Sequence, residues 1–446
     1  MLTQAKKIIR DLGDGLILRH ASPEDAGALS QFNGEIHAEN EVDKPYLMAW
    51  TRDLLTRPHP TLKPEDFTII EEASTGRIVS SLNLIPQTWS YEGIEFGVGR
   101  PELVGTLPEY RGRGLVRIQF DEIHRWSAKR GHRVQAITGI PYFYRQFGYE
   151  MAIDLDGRRY GHEAHVPTLK EGLASQEEQY HVRLAREADL PFIARTYDEI
   201  RKRSMIVCER TPEIFHYELG RQDIEHAFAQ TCVIEDKTGE LVGYLKHLCF
   251  VSNGNIACIF YELKAGASWL EVTPSVVRYL WQTGQGYAQG DGKACNSFCF
   301  ALGQSHPAYE AIKDRLPEVR DPYAWYVRVP DLPGFLNHIE PVLEKRLADS
   351  IAPGHSREIK ISFYRGGLRV VIEHGLIKTI ESWKPAPKDE GDIAFPDLTF
   401  LQLLFGYRSY EELHYAFPDC WCDHEEVRTL IKILFPKKLS NVFPIA

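Results

Sequence analysis

Two glycines alternate with two arginines in the segment Arg111-Gly112-Arg113-Gly114, and an amphipathic stretch follows directly. Glycine lets the backbone approach a ligand closely, because it has no Cβ. The amide groups of a first helical turn then point at the ligand, with the positive end of the helix dipole behind them. Since the arginines add positive charge, the segment predicts a pyrophosphate-binding loop at the start of a helix.

Two other phosphate-binding motifs do not fit this segment. A P-loop needs Gly-Lys-Ser or Gly-Lys-Thr at its end, and neither follows Gly114. The dinucleotide-binding fingerprint needs a third glycine and a strand that opens a parallel β-α-β unit, and the segment offers neither. A surface turn with solubilising arginines is the alternative interpretation of the loop taken alone.

A second segment follows the loop: Phe143-Tyr144-Arg145-Gln146-Phe147-Gly148-Tyr149-Glu150. The glycine loop resembles motif A of the GNAT superfamily of N-acetyltransferases. The second segment resembles motif B, and the two lie at the spacing that the family shows. In the frame that starts at Arg111, Val116 stands where the family has Gly or Ala. In the frame that starts at Glu109, the glutamate stands where the family has Gln or Arg. We expect the cradle to be kept, since the helix amide groups remain.

The resemblance implies acetyl-CoA as co-substrate, and the sequence predicts no metal. It places the pantetheine arm and the thioester oxygen along a strand at Val104, Gly105 and Thr106. It places the pyrophosphate at Arg111, Gly112, Arg113, Gly114, Leu115, Val116 and Arg117. Gly139 and Ile140 lie where the family's two parallel strands separate to admit the cofactor.

The same resemblance identifies Tyr144 as the acid that protonates the leaving thiolate. A phenol with a pKa near ~10 donates to a thiol of pKa ~8.5 only when its position favours transfer. A packing tyrosine is the alternative in so aromatic a run. The base has two candidates. One is the terminal carboxylate of Ala446, because resemblance to one type of this family implies that the C-terminus reaches the active site, and the apolar tail here is typical of a docked segment. The other is Glu102; a merely sealing tail and a solvated carboxylate are the structural alternatives.

The elements that must position these residues follow from the hydrophobic pattern. Leu103–Leu107 and Val134–Thr138 predict strands on either side of a helix at Leu115–Arg130. Ser22 and Pro23 predict a helix start, with Asp25 as capping partner. Further strands are predicted at Leu16–Arg19, Phe67–Ile70 and Ile78–Leu84.

The order of strand and helix start at Ile17–Asp25 recurs from His181 to Pro191, which predicts an internal duplication. The second copy has no glycine-rich loop, so we expect it to be catalytically silent. From about Pro330 the pattern predicts one helix at Leu332–Ile351, a hairpin at Ile359–Ile372 and three later helices. We therefore predict an α+β fold with domains at residues 1–172, 173–327 and 328–446.

This layout resembles the enhanced-intracellular-survival (Eis) type of acetyltransferase. That type has a catalytic GNAT domain, with a mixed, mostly antiparallel sheet and flanking helices. A degenerate GNAT-like domain and a domain similar to the sterol-carrier-protein-2 (SCP2) fold follow it. The resemblance implies a homohexamer that transfers acetyl groups to primary amines of small molecules or lysine. A CoA sensor or a lipid carrier is the competing, non-catalytic hypothesis.

Composition limits the possible partners. A net charge of −10 disfavours nucleic acid, which needs a basic face. There is neither a signal-peptide core nor an apolar stretch of about 20 residues, so we expect a cytoplasmic protein without a membrane partner. The pair Cys420 and Cys422 fits no standard zinc spacing and predicts buried thiols. The acidic run Glu35, Glu39, Glu41 and Asp43 predicts either a floor for a cationic acceptor or a solvated loop.

Overall fold

The computed structural model describes residues 7–39, 41, 43–169, 178–223, 225–290, 292 and 294–445. None of the helices in these ranges is long and apolar enough to cross a membrane. The chain begins with β1 (Ile8–Gly13), β2 (Leu16–His20), α1 (Ala26–His37), α2 (Asp43–Thr56), β3 (Phe67–Glu72), β4 (Ile78–Tyr91), β5 (Ile94–Thr106), α3 (Leu115–Lys129), β6 (Val134–Thr138) and β7 (Glu150–Leu155).

The middle of the chain contains β8 (Arg158–His162), β9 (Tyr180–Leu184), α4 (Leu190–Tyr197), β10 (Ile206–Cys208), α5 (Pro212–Gly220), β11 (Ala229–Asp236), β12 (Leu241–Leu248), β13 (Asn255–Leu263), α6 (Trp269–Gly290), β14 (Ser297–Ala301), α7 (Pro307–Ala311), β15 (Glu318–Arg320) and β16 (Tyr323–Arg328). The last part contains α8 (Leu332–His338), α9 (Glu340–Ala348), β17 (Arg357–Ser362), β18 (Gly367–Glu373), β19 (Leu376–Trp383), β20 (Ile393–Ala394), α10 (Phe400–Leu404), α11 (Tyr410–Ala416) and α12 (Glu425–Leu434).

The predicted α+β class is confirmed, and the described strands form three sheets. The first has the order β1-β2-β3-β4-β5-β6-β16-β7, with β10 added beside β4; the second runs β15-β8-β14-β13-β12-β11-β9. Both are mostly antiparallel, with one parallel pair each, β5 with β6 and β13 with β14. The third sheet runs β19-β18-β17-β20. The first sheet positions the predicted site.

The first two sheets exchange strands across the predicted domain boundaries. β8, from before residue 172, pairs with β14 in the second sheet. β16, which ends at Arg328, lies between β6 and β7 in the first sheet. The hydrogen-bonded sheets do not follow the predicted boundaries at 172 and 327. These boundaries remain a proposal about the sequence units from which the chain arose.

An ion-pair arrangement recurs in the two units and supports the internal duplication. Arg19 bonds to Asp25 and Glu71, which follow it by 6 and 52 residues. Arg183 bonds to Asp189 and Glu235 at the same separations of 6 and 52 residues. In each unit the aspartate also accepts from the backbone at the start of the helical turn, at Ser22 and at Arg186.

The long helix predicted at Leu332–Ile351 is wrong, because the structure breaks it at Ile339. Pro341 lies in the first turn of α9. Proline lacks an amide hydrogen and collides with the preceding turn, so it begins a new helix more readily than it continues one. The apolar faces of α8, α9 and α12 pack into one continuous core with Trp89 and Phe96 of the first sheet.

Candidate active site

The parallel strands β5 and β6 diverge beside the glycine loop. Their described pairing covers Val98 with Val134 and Gly99 with Gln135. Further along β5 the register against β4 shifts, and Leu103 has a φ of 52°. A non-glycine residue in the left-handed region together with a register shift marks a β-bulge, a feature common next to active sites. A gap therefore opens between the two strands beyond Gly99.

The glycine loop reaches this gap at the start of α3, as predicted. Gly112 and Gly114 have φ values of 76° and 75°, in the region that favours glycine, and a Cβ at either would meet no neighbouring atom. The backbone conformation, and not crowding, requires glycine here. Leu115 is buried in the core, whereas the arginines of the loop are exposed. The loop therefore presents backbone amides to solvent.

Three arginines lie in the loop or in the first turn of the helix that follows it. Arg111 Nε donates to the carbonyl oxygen of Thr106 at 3.4 Å. Arg113 stacks over Tyr110, and Arg117 donates to Gln146 Oε1 at 2.8 Å. Their charge lies where an anion bound to the loop would need it.

The predicted pantetheine strand lies under α1. Thr106 is almost buried and its hydroxyl lies 2.8 Å from Ser80 Oγ, which also donates to the Gly105 carbonyl oxygen. Val104 is half-buried. A Cβ on Gly105 would come within 2.9 Å of Ile36 and 3.3 Å of His37 Nε2. Glycine at position 105 thus permits α1 to approach the strand.

The phenol of Tyr144 lies at the end of β6. A short 3₁₀ helix, Phe143–Phe147, carries Tyr144, whose side chain is buried. Its ring packs so closely on Gly139 that a Cβ there would overlap the ring and lie 3.0 Å from the phenol oxygen. Burial raises the pKa of Tyr144, and the nearby Glu102 carboxylate raises it further. The phenol is therefore protonated at neutral pH, the form that a general acid requires.

Two other tyrosines differ in role. Tyr149 is fully buried against Phe120 and lies 2.8 Å from His124 Nε2, as a packing residue does. Tyr142 is 76% exposed, so packing does not account for it. Its amide donates to Tyr326 Oη at 2.8 Å, and the Tyr326 ring lies 6.0 Å from that of Tyr144. Tyr326 lies on β16, far along the chain, and no local sequence pattern predicts its position beside Tyr144.

Glu102 lies on β5 at the bulge. Its side chain is 15% exposed and forms an ion pair with Arg100. His37, at the end of α1, faces the same place: its Nε2 is buried without a hydrogen-bond partner in the described residues. Burial lowers the pKa of His37, although Glu102 and the Leu103 backbone act in the opposite direction. His37 is therefore neutral and able to accept a proton; the sequence offered no signal for it.

The predicted docking of the tail is confirmed up to Ile445, while Ala446 lies outside the described residues. The Ile445 carbonyl oxygen accepts from Gln87 Nε2 at 3.0 Å and from Arg100 Nη1 at 2.8 Å. Upstream, Arg210 donates to the carbonyl oxygens of Phe443 and Pro444. Ile445 therefore lies beside the strand that carries Glu102.

A cavity of about 350 Å³ lies beside the docked tail, between α2 and the second sheet. Charged side chains on its wall are Arg100, Arg221, Lys246 and Glu218. The acidic run is elsewhere: Glu35, Glu39 and Glu41 are exposed, and the solvated-loop interpretation holds for Glu39 and Glu41, whereas Glu35 lies on the exposed face of α1.

The described residues hold no group of three or more His, Cys, Asp or Glu side chains arranged for a metal ion. Cys420 and Cys422 are both buried, as predicted.

Residues 39–152 match the family model described as an acetyltransferase (GNAT) domain. The stretch includes the bulged strand, the glycine loop and Tyr144. Residues 39–152 form a GNAT acetyltransferase domain. The activity class, acyl transfer, follows from this domain. No curated protein sequence matches the chain.

Solved structures with the same overall fold cover nearly the whole chain. A probable N-acyltransferase from Enterococcus faecalis V583 has a TM-score of 0.62 at 14% identity, covering 97% of this chain and 100% of its own. A GCN5-related N-acetyltransferase from Kribbella flavida has a TM-score of 0.62 at 16% identity, with the same coverage of 97% and 100%. Eis1 from Mycobacterium abscessus has a TM-score of 0.56 at 12% identity, covering 96% and 99%. At these identities the likeness concerns the fold alone.

Proposed function

We propose that this protein transfers the acetyl group of acetyl-CoA to a primary amine of a small molecule or a lysine-type substrate, by direct attack in a ternary complex. One observation carries the proposal: the protonated phenol of Tyr144 packs on Gly139 at the edge of the gap between β5 and β6. The glycine loop opens at the same gap, so a cofactor-binding loop and an acid serve one site.

The residues present fit acetyl-CoA. The free amides at Gly112, Gly114 and Leu115 and the charges of Arg111, Arg113 and Arg117 would hold the pyrophosphate. The backbone of Val104, Gly105 and Thr106 would pair with the pantetheine arm and donate to the thioester oxygen. Gly139 and Ile140, which is 63% exposed, border the entrance.

Acid and base divide the proton transfers. Tyr144 protonates the departing thiolate. The terminal carboxylate of Ala446 or the carboxylate of Glu102 takes the proton of the attacking amine. Arg100 supports either assignment, because it contacts both Glu102 and the Ile445 carbonyl oxygen. His37 is a third candidate, since its unpartnered Nε2 lies near Glu102.

The decisive experiment measures free thiol release from acetyl-CoA with a panel of amines, and CoA binding by calorimetry. The proposal requires thiol release that depends on both the amine and Tyr144. Tight CoA binding without thiol release for any amine would reject it and indicate a CoA sensor.

By resemblance the proposal extends to a cytoplasmic homohexamer with a silent second GNAT-like unit and an SCP2-like third unit. Sedimentation at micromolar concentration tests the assembly. One CoA bound per chain is expected, and a measured stoichiometry of two would refute the silent repeat.

A further inference from the structure

The cavity beside the tail has the chemistry of a small-molecule pocket. Its volume of about 350 Å³ lies at the lower end of the usual range of about 300–1,000 Å³. Arg100 and Pro444 lie on its wall, so it adjoins the place where the tail meets the Glu102 strand. Apolar and aromatic side chains form much of the rest: Tyr46, Leu47, Trp50, Phe228, Ile259 and Phe443.

The charged part of the wall is predominantly cationic. Among the described residues, Arg100, Arg221 and Lys246 line the cavity together with one carboxylate, Glu218. Glu218 is already engaged, because its two oxygens contact Lys246 and Arg210. Although burial raises the pKa of Glu218, these cations lower it to about 2, so its negative charge is shared between them.

The carboxylates that balance the other two cations lie off the wall. Arg221 pairs with Asp53 and Arg100 pairs with Glu102, and neither acid lines the cavity. Two wall residues also hold buried nitrogen donors, Arg100 Nε and Trp50 Nε1, with no acceptor among the described residues. Both nitrogens are almost inaccessible to solvent, so a ligand in the cavity does not reach them.

We propose that this cavity binds the acceptor and that the acceptor is a primary amine with an aromatic or apolar body and a carboxylate group. The inference rests on the proposed function and names its substrate class. The carboxylate meets Lys246, Arg221 and Arg100, and the apolar walls hold the body. The same positive charges disfavour an ammonium ion, so they promote the neutral amine that attacks the thioester. Among the described wall residues, the carboxylate of Glu218 is already paired, so a polycation finds no free carboxylate there.

The test compares two probes of nearly equal size, para-(aminomethyl)benzoate and para-(aminomethyl)benzamide. The ring separates the amine from the altered group, so the two amines keep similar basicity. Calorimetric titration into the full-length, CoA-saturated protein should show the benzoate binding at least about tenfold more tightly, as charge-assisted hydrogen bonds require. Equal affinities, tighter binding of the amide, or binding of neither probe would overturn the inference.

Two variants change the charge of the wall in opposite directions and test whether the wall causes the preference for the benzoate. Lys246→Met removes a cation and should reduce the ratio of affinities to less than about threefold. Glu218→Gln removes the only carboxylate that the described residues contribute to the wall and should keep or enlarge that ratio. The variant is checked for folding by its far-ultraviolet circular dichroism. If folded Lys246→Met protein keeps the wild-type ratio of the two probe affinities, the assignment is contradicted. The wild-type comparison stands even where a variant fails to fold.

Thiol release with the same probes, lysine and a polyamine separates this inference from the proposed function. Release with the polyamine but not with the benzoate would overturn the carboxylate inference and leave the acetyltransferase in place. Tight benzoate binding without thiol release for any amine would reject the acetyltransferase and retain an anion-selective pocket.

Discussion

The guanidinium of Arg100 donates a hydrogen bond of 2.8 Å to the carbonyl oxygen of Ile445, the last described residue of the chain. The same guanidinium holds the carboxylate of Glu102. Arg100 is buried, so these bonds are shielded from water and are strong. The arginine therefore holds the backbone of Ile445 next to Glu102.

Extension of the tail separates the two carboxylates. Adding three residues after Ala446 moves the terminal carboxylate but keeps the packing of Val442 and Ile445. If that carboxylate is the base, kcat should fall by roughly 10²–10⁴-fold, the range for acid–base groups. CoA affinity by calorimetry is the control and should stay constant.

Normal turnover of the extended protein would exclude Ala446 and leave Glu102, for which Glu102→Gln should then cause the loss. Turnover that survives both changes would direct attention to His37.

Removal of the Tyr144 hydroxyl tests the acid. Tyr144→Phe should lower kcat by roughly 10²–10⁴-fold with little change in CoA affinity, because the ring packing is retained. Tyr142→Phe is the matched control, since Tyr142 is exposed and adjacent. It should retain nearly full activity. Because burial raises the pKa of Tyr144, the phenol stays protonated in alkaline solution, and kcat should not decline below pH ~10 through this group.

Bulky residues in the glycine loop test the cofactor site. The double variant Gly112→Val and Gly114→Val places β-branched residues at two positions with left-handed backbone conformation. Their side chains also fill the space in front of the amides. We expect CoA affinity to fall at least about 100-fold, as for the loss of several charge-assisted bonds.

Gly239→Val is the control for that experiment, because Gly239 has a φ of 84° and open space but lies in a hairpin of the second unit. It should impose similar strain and leave CoA binding intact. Equal CoA affinity in all three proteins would show that the loop is only a turn.

A methyl group at Gly139 should displace the Tyr144 ring. Gly139→Ala places a Cβ where the ring now lies, so the phenol must move. A misplaced acid should reduce kcat at least about tenfold, since catalysis depends on near-atomic positioning. Gly286→Ala, on the open surface of α6, is the control and should be fully active. An unaffected Gly139→Ala enzyme would show that the Tyr144 position is not critical.

Asp154, on β7 beside Asn441 of the tail, should make stability depend on pH. Burial raises the pKa of Asp154 to about 6 from an ordinary 3.8. The folded state thus binds its proton more tightly, so the free energy of unfolding falls as pH rises from about 4 to 6, by about 2–3 kcal/mol. Asp154→Asn should lose this dependence in urea unfolding. Asp121→Asn, on an exposed site of α3, should retain it; parallel curves for all three proteins would refute the attribution.

Local signals were strong enough to predict the loop and its neighbours. The spacing of Gly112 and Gly114 before an amphipathic run led to the start of α3 at Leu115, and β6 at Val134–Thr138 has the predicted bounds. These features depend on backbone conformation and periodicity, which neighbouring residues determine. The recurring strand and helix start hinted at the duplication, but only the contacts of the Arg, Asp and Glu side chains in the two units support it.

The break at Ile339 shows that apolar periodicity alone overestimates a helix, since Pro341 outweighs it. The strand exchange by β8 and β16 and the place of Tyr326 beside Tyr144 depend on contacts between distant segments. The hydrogen bond between Arg100 and Ile445 and the cationic wall around Lys246 also depend on contacts between distant segments. The sequence by itself determined the glycine loop before α3 and the short segment that carries Tyr144, because adjacent residues encode them. The tertiary structure alone decided the cationic cavity, because Arg100 lies more than a hundred positions from Glu218, Arg221 and Lys246, and only packing brings it next to them.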